Sequence, residues 1–122
     1  MSQGERDLPR LLASLAPTLS QERYAFEATD NPQLDGNTFA LVREDEGATA
    51  IRLSSGGEWA RISLGVHSSL EAVGLTAVLS RALAEAGISA NIVAALYHDH
   101  IFVPWERREE ALALIVALSL DS

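Results

Sequence analysis

An α+β fold is what this sequence predicts, with antiparallel strands in one layer and helices gathered on one face. Three observations say so. Ala60, Ile62, Leu64 and Val66 alternate with Arg61, Ser63 and Gly65, the pattern of a half-buried strand. A helical pattern follows over 69–86, with Leu75, Leu79, Ala82 and Ala86 on one side. Two short strand patterns and a second helix come next, so residues 58–118 run strand, helix, strand, strand, helix.

The first element is a short helix over 7–15. Asp7 suits its N-cap, and Pro9 sits early, where a missing N–H does no harm. Leu8, Leu11, Leu12 and Leu15 share a face, and Pro17 ends the run. Strand patterns follow at 24–29, 38–44 and 48–53. Asp30-Asn31-Pro32 and Asp35-Gly36-Asn37 punctuate the first gap. Asp45-Glu46-Gly47 reads as a hairpin turn, with Gly47 free to take positive φ. Residues 54–57, Ser-Ser-Gly-Gly, are the best linker candidate.

After the strand at 59–66 and the helix at 69–86, Gly87 supplies a helix stop. Strands are expected at 90–97 and 100–104 around a turn near His98-Asp99. A last helix is expected over 106–118, with Glu109 and Glu110 at its positive end. The order of elements in this half is the ferredoxin-like split pattern without its final strand. The missing strand has three possible sources: the first half, the 48–53 segment within it, or another subunit.

A chain of 122 residues with 48% hydrophobic content can bury a real core. Its net charge of −8, with nine scattered arginines and no lysine, disfavours nucleic acid. Without cysteine there are no disulfides, thiolate metal sites or thiol nucleophiles. No apolar run is long enough to span a bilayer, and the first residues lack a signal-peptide layout. The expectation is a soluble cytoplasmic protein with no nucleic-acid or membrane partner.

Chemistry concentrates at Val66, His67, Ser68, Ser69 and Leu70. A helix starting at residue 69 offers unpaired amides at Ser69, Leu70 and Glu71 to a small anion. Ser68 or Ser69 adds a hydroxyl, His67 adds a titratable donor, and Asn91 at the start of the next strand adds a polar group. Binding of this kind is modest, on the order of −4 to −8 kcal/mol. Ser68-Ser69-Leu70-Glu71 also fits a capping box.

His98 and His100, with His67, form the other constellation. Three imidazoles suit zinc, but H-x-H alone is a weak metal signal, and a turn stabilised by Asp99 is the simpler reading. His67 beside Ser68 and Ser69 does not give nucleophile geometry. Neither G-x-G-x-x-G nor G-K-[ST] occurs. The expectation is no catalytic residue, no metal and no cofactor.

The runs Val66-His67-Ser68-Ser69-Leu70-Glu71-Ala72-Val73-Gly74, Gly87-Ile88-Ser89-Ala90-Asn91-Ile92-Val93-Ala94 and Tyr97-His98-Asp99-His100-Ile101-Phe102-Val103 resemble the small bacterial stand-alone ACT-domain proteins. The family's glycine-aromatic pair before the histidines is replaced here by Ala95-Leu96. The resemblance implies a ferredoxin-like ACT fold in two tandem modules. An abbreviated N-terminal module spans 1–56 and an ACT domain spans 57–122. It further implies a non-catalytic regulatory protein that binds an amino acid near Val66, His67, Ser68, Ser69, Leu70 and Asn91, and that pairs as a homodimer. An assembly module with a vestigial ligand site is the alternative. A metal-assisted enzyme using His67, His98 and His100 ranks below it.

Overall fold

Helix α1, Leu8–Ala13, starts at the expected cap: the Asp7 carboxylate accepts from the Arg10 amide at 3.2 Å. The computed structural model describes residues 4–70 and 72–120. Seven strands follow: β1 (Pro17–Leu19), β2 (Tyr24–Thr29), β3 (Thr38–Glu44), β4 (Gly47–Leu53), β5 (Trp59–Leu64), β6 (Asn91–Ala94) and β7 (Asp99–Pro104). Helix α2, Leu75–Glu85, joins β5 to β6. A 3-10 turn at Trp105–Arg107 leads into α3, Arg108–Leu120.

The strands make one antiparallel sheet in the order β3-β4-β2-β5-β7-β6, with β1 also paired to β5. The strand missing from the second half is therefore supplied by the first. Pro17, Thr18 and Leu19 pair with Leu64, Ser63 and Ile62. The Ser20 amide continues to the Arg61 carbonyl at 2.9 Å, and Tyr24 meets Trp59. β1 and the start of β2 thus share one lane beside β5.

The alternation in β5 does what its pattern predicts. Ala60, Ile62 and Leu64 are buried against the helices, joined by Leu11 and Leu15 around α1, Leu79 and Leu83 of α2, Ile101 and Val103 of β7, and Ile115 of α3. All three helices therefore lie on one face. The other face is lined by aromatic rings. Phe39 of the edge strand β3 meets Phe102 of β7 at 5.5 Å between ring centroids, although three strands separate β3 from β7. The sheet must curl to allow this, and Tyr24, Ile51 and Phe102 form a second buried cluster inside the curl.

Three local expectations are corrected, and the linker candidate takes a definite geometry. The helix expected over 69–86 begins only at Leu75, with Gly74 at the N-cap at φ +99°. Gly74 is therefore a helix entry point that needs positive φ, not a glycine within the helix. The strand expected over 90–97 is only Asn91–Ala94, and β7 begins at Asp99, so the turn lies at 95–98 and closes with Ala95 N–H to the His98 carbonyl at 3.1 Å. β1 was not expected at all. The linker candidate 54–57 is a tight connection. The Ser54 amide donates to the Arg23 carbonyl at 2.9 Å, and a Cβ on Gly57 would stand 2.3 Å from the Tyr24 carbonyl oxygen.

The predicted helix stop holds in detail. Gly87 has φ +73°, its amide donates to the Ala84 carbonyl, and the Ile88 amide donates to the Leu83 carbonyl, both at 2.9 Å. This is the Schellman arrangement, with Ile88 and Leu83 both in the core. Arg107 then donates to the Ala86 carbonyl at 3.0 Å, satisfying a further group at that helix end.

Candidate functional site

The segment between β5 and α2 is pinned from outside. The Glu5 amide donates to the His67 carbonyl and the Ser69 amide donates to the Glu5 carbonyl, both at 2.8 Å. Glu5 and Ser68 form a parallel bridge, and Gly4 lies so close that a Cβ there would stand 2.4 Å from the Ser68 carbonyl carbon. This strap changes the predicted chemistry. The Ser69 amide is occupied by the chain itself, and the helix that was to expose free amides starts six residues later. Glu71, expected as a third amide and as the capping-box partner, lies outside the described residues.

Ser68 is not an N-cap. Its side chain turns inward, 6% exposed, and its hydroxyl donates to Asp99 Oδ2 at 2.9 Å. Asp99 is 7% exposed. Strand alternation puts Asp99 on the helix-facing side with Ile101 and Val103, near the start of α2. Asp99 makes no ion pair among the described residues, and its Oδ1 has no hydrogen-bond partner there. The only fully buried side-chain polar atom without a partner, among the described residues, is Ser119 Oγ. Asp99 Oδ1 therefore reaches solvent. It does so in a cavity of about 60 Å³, whose lining includes Ser68, Ser69, Leu70, Thr76, Ala94 and Asp99. That space holds a few waters or the head of a small ligand.

The expected site residues divide. Ser68, Ser69 and Leu70 line this cavity. Val66 packs on the helix-side core, and its amide donates to the Leu15 carbonyl at 3.3 Å. His67 is half-buried, its ring 5.6 Å from that of Tyr97. Asn91 is exposed and pairs with Phe102, whereas Ala94 pairs with Asp99. Asn91 stands three positions along β6 from Ala94, which lines the cavity, about 10 Å away. Asp99, which sequence reasoning assigned to turn hydrogen bonding, is the residue that was missed.

The histidines are not gathered. His98 is exposed in the 95–98 turn. His100 points to the aromatic face, its ring 4.9 Å from Phe39 and its Nδ1 2.8 Å from Ser63 Oγ. Among the described residues no group of three His, Cys, Asp or Glu side chains could hold a metal ion.

Comparison with known proteins places this geometry in context. A family model described as "ACT domain" matches residues 54–116, and a second model of the same description matches 3–62. The chain is similar to a Vibrio cholerae protein of unknown function, described as a "Possible Transport Protein", with a TM-score of 0.71 and 40% identity over 88% of this chain and 92% of that one. It shares its fold with an Agrobacterium tumefaciens protein, with a TM-score of 0.63 and 17% identity over 79% and 81% of the two chains. No curated protein matches the chain.

Proposed function

The chain belongs to the ACT-domain family, and from that premise we propose that it is a regulatory module binding an amino acid at Ser68 and Asp99. ACT domains are generally non-catalytic regulatory modules that bind small ligands, often amino acids.

One observation carries the choice of ligand: Asp99 Oδ1 opens on the cavity beside Ser68 with no cation among the described residues against it. A carboxylate oxygen that opens on a narrow cavity suits a cationic donor, because a partly buried charge gains from a partner. The ammonium group of an amino acid supplies that charge and up to three N–H donors. The space of about 60 Å³ admits an ammonium and its first carbon rather than a whole side chain. The rest of the ligand then lies across the rim formed by Ser69 and Leu70, where Leu70 is 64% exposed. This replaces the anion expected at free helix amides by a zwitterion held at its positive end.

Exposed Leu70, Val73, Leu96 and Tyr97 sit on the two loops bordering this end of the sheet. With the open edge strand β6, they support pairing as a homodimer. Sedimentation at micromolar concentration tests that part, and a 13.1 kDa species counts against it. No helix among the described residues is long and apolar enough to cross a membrane. The absence of cysteine agrees with work in the reducing cytoplasm. The two family matches overlap at 54–62, which supports modules meeting near the proposed boundary of 56 and 57.

The test is a thermal-shift screen of the standard amino acids on the wild type, Ser68→Ala and Asp99→Asn. Binding to the native state raises the melting temperature. At least one amino acid should do so for the wild type, and folded Asp99→Asn should lose the shift. A screen with no positive, or a shift that persists in both variants, overturns the proposal.

A further inference from the structure

On the opposite side of the sheet, Arg61 is held from three directions. Its Nε donates to the Tyr24 hydroxyl at 2.9 Å, and its Nη1 donates to Ser63 Oγ and lies 3.4 Å from His100 Nδ1. Its guanidinium carbon stands 4.8 Å from the Phe39 ring centroid and 5.3 Å from that of Tyr24. The Tyr24 hydroxyl also lies 3.4 Å from Ser20 Oγ.

These contacts fix the guanidinium without neutralising it. Among the described residues no carboxylate pairs with Arg61, although 17 acidic residues face nine arginines in the chain. The Arg61 Nη2 has no hydrogen-bond partner there either, and it is not among the buried atoms lacking one. That nitrogen therefore reaches solvent with two N–H groups available. A guanidinium fixed by packing gives up little rotamer freedom on binding, and its planar fork suits an oxyanion.

We propose that the aromatic face of the sheet carries an oxyanion site in which Arg61 binds a phosphate or carboxylate group, positioned by Ser63 and flanked by His100. This site lies across the sheet from Ser68 and Asp99. Alternation along β5 and β7 puts Arg61, Ser63 and His100 on one side and Asp99 on the other. The two sites therefore take opposite charges from opposite faces. An aromatic wall beside the cation, with Phe39 and Tyr24 already stacked on it, favours an oxyanion joined to an apolar or planar group.

Two-dimensional NMR of the full chain tests this by titration with inorganic phosphate in one arm and acetate in the other, at constant chloride ionic strength. The expected result is a saturable shift of the Arg61 Nε–H and His100 ring signals in one arm or both. The more responsive arm identifies a phosphate or a carboxylate group. Ser63→Ala, which removes one hydroxyl, should weaken the binding severalfold, and Arg61→Gln should abolish it. If Arg61→Gln fails to fold, Arg61→Lys takes its place and should bind at least tenfold more weakly. No saturable shift in either arm, or the same affinity in Ser63→Ala and in the folded Arg61 variant, overturns the proposal.

Discussion

Ser68 and Asp99 lie 31 positions apart in the chain and meet in a buried hydrogen bond of 2.9 Å between Oγ and Oδ2. One comes from the segment after the central strand β5, the other from the first residue of β7. The bond ties the β5–α2 connection to the sheet at the point where the candidate cavity opens.

Removing the hydroxyl leaves a buried carboxylate without its donor. Ser68→Ala should therefore lose about 1–3 kcal/mol of stability. Asp99→Asn keeps an acceptor for the hydroxyl and should lose less. Urea unfolding of the two variants checks the order, and a Ser68→Ala midpoint equal to wild type removes the structural part of the argument.

Gly74→Ala should cost about 1–2 kcal/mol, because φ is +99° there and an added Cβ would meet Leu8 Cδ2 at 3.1 Å. Gly36→Ala is the control, since nothing lies within 4 Å of its added Cβ. Thermal unfolding should separate the pair clearly. Equal melting temperatures would contradict the helix entry described above.

Leu15 is fully buried in the helix-side core, between α1 and β1. Leu15→Ala should cost about 2–5 kcal/mol. The fragment 57–122, which lacks Leu11, Leu15 and the β1 lane, should not unfold cooperatively alone. A sharp calorimetric transition in that fragment would show that the second half is self-sufficient.

His100 yields a pH prediction. Burial, then the positive charge of Arg61, then His98, hold its imidazole below the usual range, and Asp99 partly opposes them. Ser63 and Phe39 are its uncharged neighbours on the same face. The unfolded chain takes up this proton at a pKa of about 6.5, the folded chain only at lower pH. Between those values the unfolded state binds more protons, so stability rises with pH there. The contribution is complete above about pH 6.5 and is lost as pH falls toward the folded value. His100→Gln should flatten that part of the stability profile. An unchanged slope just below about pH 6.5 would remove this role.

The strand patterns that were legible were those with their own punctuation. Thr38–Glu44 and Gly47–Leu53 are joined by Asp45-Glu46, a local turn. Gly87 stopped its helix because the Schellman hydrogen bonds lie within one turn. The start of α2 misled because Ser68-Ser69-Leu70-Glu71 has the residues of a cap. Its hydroxyl partner and the strap on its amide come from residues 99 and 5. β1 escaped notice because three residues cannot show alternation, and proline is tolerated as the first residue of a strand.

The candidate site was legible by place and not by chemistry. Ser68, Ser69 and Leu70 were identified, but the charge that faces the cavity belongs to Asp99. Local reasoning gives an aspartate beside a turn to backbone capping. Arg61 was hidden for a related reason: an arginine alternating with apolar residues looks solvated. Only the curl that brings Phe39 over β7 turns its side of the strand partly inward.

The lane that β1 fills has a consequence for the order of synthesis. Pro17 waits for Leu64, 47 positions later, and the partners of Leu11 extend to Ile115. A ribosome delivers the apolar side of α1 well before anything exists to cover it. While β5 to α3 are still being made, the first half carries exposed leucines and an unpaired strand end, the features that recruit holding chaperones and favour aggregation. Pairing of β1 is then a late, long-range event. Prompt completion of β5 to α3 shortens the vulnerable interval.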